Sequence, residues 1–138
     1  MLVIAHRGVW HNEADNAFAL ENSLEAFRIA FENGFGCEVD LRLSKDSKLM
    51  VSHDATTGRL FGKNLEIANT RSDQLKQTSL SQRGLCTFDE VCLAFAQELK
   101  TNALIELAVH LKDNATADEE KCGKAAGEVC KLLEEYCL

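Results

Sequence analysis

The strongest hydrophobic pattern in this chain is a strict alternation of apolar and polar residues between Cys37 and Leu43. A period of two predicts a β-strand, and its polar face carries Glu38, Asp40 and Arg42. A shorter run, Val3–Ala5, is continuously apolar and is followed by a turn at a glycine. Such a run predicts a buried strand near the N-terminus.

A second strand is predicted immediately after the alternating one. Leu49 to His53 is separated from it by the polar residues 44–48, and five residues cannot form a parallel crossover, which needs a dozen or more. The two strands should therefore form an antiparallel hairpin. Folding the chain in this way returns His53 close to Glu38 and Asp40.

Three segments combine helical spacing of apolar residues with a capping signal at their start. The first predicted helix covers residues 23–32 with Asn22 as its N-cap, and the second covers residues 87–99 with a capping box at Thr87. The third begins with a capping box at Thr116. Its predicted apolar stripe consists of Cys122, Ala125, Ala126, Val129, Leu133 and Tyr136.

The remaining pattern predicts a long polar loop over residues 54–86 and a strand over residues 103–110, with Glu106, Ala108 and His110 on one face. Strands that alternate with helices predict an α/β fold, and we expect one domain over residues 1–138. The last predicted helix ends with the chain, and an α/β sheet is rarely complete at that point. We therefore expect that a C-terminal portion is missing.

Composition narrows the possible functions. Hydrophobic residues make up 46% and charged residues 27% of the 138 residues, which is ordinary for a globular protein. The net charge of −7 argues against nucleic-acid binding. There is no secretory signal and no apolar stretch of about 20 residues, so we expect a cytoplasmic protein without an integral membrane segment. The six cysteines show no C-x-x-C pair and are expected to be reduced and mostly buried.

Candidate catalytic residues gather at the ends of the predicted strands. Glu38 and Asp40 lie on one strand face, and paired carboxylates can share a hard divalent ion such as Mg²⁺ or Ca²⁺. His6 and His53 end two other strands and suit acid–base catalysis near neutral pH. Arg7 suits bidentate contact with a phosphate. This combination is typical of metal-assisted phosphoryl chemistry.

Each of these signals also has a structural explanation. A histidine at a strand end is more often structural than catalytic, and the two carboxylates could be the solvated face of an edge strand. Asp54 is more simply a turn or cap residue, and Arg7 could be a surface ion-pair partner. Glu106 is harder to explain in this way, because a carboxylate in an apolar strand needs a partner.

Taken together, the motifs resemble a known family. The run Ala5-His6-Arg7-Gly8 followed by Glu21-Asn22-Ser23-Leu24-Glu25, the segment Gly36–Asp46, and Val51-Ser52-His53-Asp54 are similar to the signatures of the glycerophosphodiester phosphodiesterases. The resemblance continues with the usual spacing of Arg59, Gly62, Thr70 and Leu75 and reaches about Glu106.

The resemblance implies a metal-dependent enzyme with a distorted TIM-type (β/α) barrel of the phospholipase C-like phosphodiesterase type, of which this chain would be a partial, N-terminal half. Such enzymes hydrolyse glycerophosphodiesters to glycerol 3-phosphate and an alcohol. By resemblance, His6 and His53 are the acid–base pair, and Arg7 contacts the phosphate. The implied metal ligands are Glu38, Asp40 and Glu106.

The chain also departs from the family pattern. Leu20 and Cys86 replace prolines, and Ala108 replaces the lysine of a Glu-x-Lys motif that would touch phosphate. Lys112 is too far along the chain to be an obvious substitute. Two alternatives therefore stay open: a catalytically inactive fragment that binds metal or phosphate, and a related lipid phosphodiesterase of the phospholipase D type. An open barrel edge would also favour self-association.

Overall fold

The computed structural model describes residues 2–10, 19–78, 85–101, 105–112, 118–136 and 138. Strands and helices alternate, as the pattern predicted. In chain order the elements are β1 (Ile4–His6), α1 (Leu24–Glu32), β2 (Gly36–Leu43), β3 (Leu49–Val51), α2 (Gly58–Phe61), a 3-10 turn (Ile67–Asn69), α3 (Ser72–Lys76), α4 (Phe88–Leu99), β4 (Leu107–Leu111) and α5 (Glu119–Glu135).

The sheet is organised around β2. Strands β1 and β4 pair with it in parallel, and β3 pairs with it antiparallel. The amides of Gly36 and Cys37 donate to opposite neighbours, Val3 and Glu106 respectively, so β1 and β4 lie on opposite edges of β2. The amide of Ser52 donates to the carbonyl of Asp40, which places β3 beyond β1 along the same edge. The parallel strands β1, β2 and β4 therefore lie side by side, with the last residue of β1 opposite Glu38 and the last residue of β4 opposite Leu41.

The predicted hairpin is confirmed. Leu41 pairs with Val51 and Leu43 with Leu49, and the polar turn between them closes through hydrogen bonds of Ser44 with Ser47 and Lys48. The predicted second strand is shorter than expected, because pairing ends at Val51. His53 follows two residues later.

The core lies between the sheet and the helices. The apolar face of β2 is fully buried, and α1 and α4 pack across it through the rings of Phe31 and Phe95, whose centroids are 5.2 Å apart. The largest side chains at the centre are Phe27, Phe31, Phe88, Leu41, Val39, Val51 and Val91. β1, which was predicted to be buried, is instead exposed at Ile4 (42%), because β2 is its only paired neighbour among the described residues.

Two glycines allow elements to approach each other closely. A Cβ on Gly36 would lie 2.4 Å from the carbonyl oxygen of Glu106, so β2 and β4 could not pair as they do with a larger residue there. A Cβ on Gly8 would lie 2.8 Å from the backbone of Ala26 in α1, and Gly8 also has a positive φ of 84°. Both positions fix how the strands that carry the candidate site are packed.

The helix caps only partly follow the prediction. The capping box at Thr87 is present, but α1 is capped by Ser23, whose side chain accepts from the amide of Ala26. The side chain of Asn22, the predicted cap, contacts Asp40 instead. Thr116 lies outside the described residues, and the described start of α5 is capped by Asp118. The predicted long loop contains α2, the 3-10 turn and α3, because short helical turns lack the long apolar periodicity on which the prediction depended.

The predicted burial of α5 and of the cysteines is confirmed only in part. Ala125 and Leu132 are the buried residues of α5, whereas Cys122 and Ala126 of the predicted stripe are exposed. Cys130 on the same helix is also exposed. Cys37, Cys86 and Cys92 are buried free thiols, and burial raises the pKa of each to about 12. Cys137 lies outside the described residues.

Among the described residues, none of the helices combines the length and the apolar character that crossing a membrane would require.

Candidate active site

The polar face of β2 is the centre of the candidate site. Asp40 is 1% exposed, and an isolated buried carboxylate would be very unfavourable. Its Oδ1 lies 3.1 Å from the ammonium of Lys112, and its Oδ2 lies 3.3 Å from Nε of Arg7. Burial opposes ionisation of this carboxyl, but the hydrogen bond from Asn22 and the charges of Lys112 and Arg7 lower its pKa below the usual range.

Asn22 holds Asp40 in place from the turn before α1. Its Nδ2 donates to Asp40 Oδ2 at 2.9 Å, and its Oδ1 accepts from the Asp40 amide at 3.2 Å. Asn22 itself has a φ of 53°, a conformation that asparagine tolerates better than most residues. This double contact explains why Asn22 does not cap α1.

Arg7 has the same left-handed backbone, with a φ of 60°. Its carbonyl accepts from the amide of Asn22, and its Nη1 donates to Oε1 of Glu21 at 3.1 Å. Glu21 is buried, so the guanidinium of Arg7 lies between two buried carboxylates, those of Glu21 and Asp40. Strained backbone that is held by this many contacts often marks a functional site.

The two predicted catalytic histidines reach this region from different strands. His6 ends β1 opposite Glu38 in the register, and its Nε2 lies 4.0 Å from Glu38 Oε2. His53 follows β3, and its carbonyl accepts two hydrogen bonds from the guanidinium of Arg42, at 3.0 and 2.7 Å. The ring Nδ1 of His53 contacts the carboxylate of Asp54 at 2.9 Å. Asp54 is thus a side-chain partner of His53 and not only a turn residue.

β4 contributes the imidazole of His110, which the sequence did not predict as a site residue. His110 pairs with Asp40 in the register, and its Nδ1 lies 3.2 Å from Asp40 Oδ1 and 3.5 Å from Glu38 Oε1. Within the described residues, Glu38, Asp40 and His110 form a group whose ligand atoms all lie within 4.8 Å of one another. Two carboxylates and an imidazole are a suitable donor set for a divalent cation.

Glu106, the third metal ligand implied by the family resemblance, is not brought into this group. It is exposed and precedes β4, and because His110 is the residue opposite Asp40, Glu106 lies four residues before that position. Its backbone carbonyl accepts from the amide of Cys37. Its assignment as a ligand stays a prediction.

The residues present fit a metal ion in a further respect. Oε2 of Glu38 is buried and has no hydrogen-bond partner among the described residues. A buried carboxylate oxygen without a partner is costly. An ion between Glu38, Asp40 and His110 would supply the missing positive charge.

Lys112 lies within the candidate site, which the sequence did not predict. Its side chain is 13% exposed and its ammonium contacts Asp40. His110 and Lys112 are separated by one residue, which is the same spacing as the Glu-x-Lys motif that Ala108 interrupts. The His110-x-Lys112 pair lies four residues after Glu106-x-Ala108, and this repeated spacing is the feature of the sequence that could have identified Lys112.

Comparison with known proteins agrees with the family resemblance of the sequence motifs. The model of the glycerophosphoryl diester phosphodiesterase family matches residues 6–135. A curated relative, a glycerophosphodiester phosphodiesterase of Caldanaerobacter subterraneus, is 46% identical over 59 residues, which are 42% of this chain and 22% of the relative.

Solved structures extend the similarity to nearly the whole chain. A glycerophosphodiester phosphodiesterase from Parabacteroides distasonis is 30% identical and superimposes with a TM-score of 0.71, over 99% of this chain and 52% of that one. A putative glycerophosphodiester phosphodiesterase from Galdieria sulphuraria has the same fold, with a TM-score of 0.77 at 21% identity, over 98% and 52%. The chain thus spans about half the length of these structures. The expected partial TIM-type (β/α) barrel is confirmed.

Proposed function

This chain belongs to the glycerophosphoryl diester phosphodiesterase family, and on that premise we propose that its site serves the metal-dependent hydrolysis of glycerophosphodiesters to glycerol 3-phosphate and an alcohol. The observation that carries the proposal is the grouping of Glu38, Asp40 and His110 beside Arg7 and Lys112. Two carboxylates on the central strand and three basic side chains on or just after its neighbours can accommodate both a cation and a phosphate.

In this proposal Glu38 and Asp40 hold a divalent ion, with Mg²⁺ or Ca²⁺ favoured by their oxygen ligands. His110 is the third protein ligand that the geometry favours, with Glu106 as the alternative from the sequence. Bound there, the ion supplies positive charge that offsets the charge of the phosphodiester. Asn22 keeps the Asp40 carboxylate in a fixed orientation toward this position.

Arg7 and Lys112 are the proposed phosphate contacts. Arg7 is held from one side by Glu21, which limits its freedom before substrate binds. Lys112 contacts Asp40 directly, so it can turn from the carboxylate to a phosphate oxygen when a cation occupies the group. Lys112 would thereby take the role of the lysine that Ala108 replaces.

His6 and His53 are the proposed acid–base pair. One imidazole removes a proton from the attacking hydroxyl or water, and the other protonates the leaving alkoxide. His6 is largely exposed (67%) and can meet a substrate from solvent. His53 is less exposed (37%) and is tied to Asp54.

Titration calorimetry with Mg²⁺ and Ca²⁺ on the 138-residue chain tests the metal site. We expect saturable binding that Glu38→Gln weakens, while Glu134→Gln on the exposed face of α5 binds like the wild type. Equal binding by wild type and Glu38→Gln would remove Glu38 from the site.

Release of glycerol 3-phosphate from a glycerophosphodiester tests the reaction. His6→Ala and His53→Ala should each lower the rate at least about 100-fold, the lower range for general acid–base groups. Metal binding without turnover of any phosphodiester would favour the inactive metal-binding or phosphate-binding fragment instead. Turnover of a phospholipid but not of a glycerophosphodiester would favour the phospholipase D type.

A further inference from the structure

A continuous network of side-chain contacts connects His53 with the centre of the site. Asp54 shares its carboxylate between two partners: Oδ1 contacts the Nδ1 of His53, and Oδ2 accepts from the Nε of Arg59. The Nη2 of Arg59 donates in turn to Oε1 of Glu21. The same oxygen of Glu21 accepts from Arg7. Arg59 is therefore the link between the histidine and the buried carboxylate behind Arg7.

Burial holds the inner part of this network, around Glu21, in place. Glu21 is 2% exposed on its side chain, and a carboxylate so buried requires its positive partners. Arg59 lies in α2 and is 44% exposed, so its guanidinium gains its fixed position from the two carboxylates that it bridges. Hydrogen bonds from Arg59, more than the opposing effect of burial, lower the pKa of Asp54, and His53 adds to this. Asp54 thus stays ionised over the neutral pH range.

An ionised carboxylate can only accept hydrogen bonds. The Nδ1 of His53 must therefore carry the proton that points to Asp54. This leaves Nε2 as the nitrogen that can take or give a proton elsewhere. An acid–base histidine needs this kind of fixed tautomer and ring orientation, because a rotated ring would present the wrong nitrogen to the substrate.

We propose that Asp54 and Arg59 are positioning residues for His53: Asp54 fixes the Nδ1–H tautomer and the ring orientation, and Arg59, anchored on Glu21, fixes Asp54. The inference rests on the proposed function, in which His53 is half of the acid–base pair. Neither residue needs to touch the substrate for this role.

The tautomer of His53 can be measured without any activity. Long-range ¹⁵N–¹H spectra of the histidine rings in the 138-residue chain distinguish Nδ1–H from Nε2–H. We expect a single Nδ1–H form for His53 in the wild type and loss of that preference in Asp54→Asn. Arg59→Gln should give a partial loss, and Arg59→Lys should retain more of the preference than Arg59→Gln. Asp73→Asn, at an exposed aspartate of α3, should leave the His53 spectrum unchanged.

Kinetics supply the second readout. If the chain turns over a glycerophosphodiester, Asp54→Asn should lower kcat at least about tenfold with KM nearly unchanged, since positioning acts on proton transfer and not on binding. An unchanged tautomer in both Asp54→Asn and Arg59→Gln would overturn the positioning proposal. A lost tautomer preference with an unchanged kcat would overturn it as well. If His53→Ala itself keeps the full rate, the proposed acid–base function fails, whatever the spectra show.

Discussion

Strands β2 and β4 pair in parallel and each contributes to the candidate site, yet they differ in burial. Every residue of β2 except Glu38 is buried, whereas no residue of β4 is. Both edges of β2 are paired, by β1 and β3 on one side and β4 on the other. For β4, β2 is the paired neighbour among the described residues. Pairing on both edges thus makes β2 a buried central strand, whereas β4 is only partly buried.

The difference determines how the charged residues on the two strands behave. Asp40 on β2 is enclosed, so each of its oxygens has a partner from Asn22, Arg7, His110 or Lys112. His110 on β4 is 56% exposed and can move. We infer that β2 fixes the position of the proposed metal site, while β4 supplies groups that can adjust to an ion or a substrate.

The largest effect should come from removing the charge at the enclosed position. Asp40→Asn leaves the part-buried cations of Arg7 and Lys112 facing a neutral amide, and breaking such a pair costs about 3 kcal/mol or more. We expect a decrease of this size in the free energy of unfolding, measured in urea at pH 7. Lys124→Ala, which breaks an exposed pair with Glu120 on α5, should leave it nearly unchanged.

The same variant should change the dependence of stability on pH. The folded pKa of Asp40 is lowered, so its contribution is fully present above the unfolded pKa of about 3.9 and is lost as pH falls through the folded pKa. The wild type should therefore lose stability more steeply than Asp40→Asn below about pH 4. Part of the slope should remain in the variant, because Asp46 and Asp54 also have lowered pKa values. Equal slopes would contradict the assigned role of the ionised Asp40.

A smaller effect should follow from separating the two strands. Gly36→Ala places a methyl group against the carbonyl of Glu106, and such overpacking costs about 1–3 kcal/mol. Gly123→Ala is the matched control in α5, where the added methyl meets no atom within 4 Å and should stabilise by about 0.5–1 kcal/mol. Urea unfolding of both variants gives the comparison. If Gly36→Ala were as stable as Gly123→Ala, the close pairing of β2 with β4 would be incorrect.

The smallest expected effect concerns the third ligand of the proposed metal site. The two candidates are His110 on β4 and Glu106, which precedes that strand. His110→Ala should weaken divalent-ion binding at least about tenfold, whereas Glu106→Gln should bind like the wild type. Calorimetry with the same ion on both variants measures this. The reverse result would restore the ligand set that the family resemblance implies and would place Glu106, not His110, next to Asp40.

Much of this arrangement was predictable because it depends on residues close together in the chain. The hairpin follows from a five-residue linker, and the cap at Thr87 follows from its own capping box. Glu38 and Asp40 could be placed on one face because a strand alternates every residue. Asn22 was misassigned as a cap, because its partner, Asp40, lies 18 residues away.

The sequence by itself identified the family and the strand that carries the two carboxylates, and it marked two histidines and an arginine as candidate site residues. Period, turn length and capping are local properties, and the motifs that mark the family are local too. Only the tertiary structure decided which residue of β4 faces Asp40, that Lys112 lies beside it, and that Arg59 joins Asp54 to Glu21. The register between two parallel strands is set by how the intervening helices and loops pack. A shift of two residues along the strand keeps the same side chains on the same face, so the alternation of the sequence alone does not fix the register.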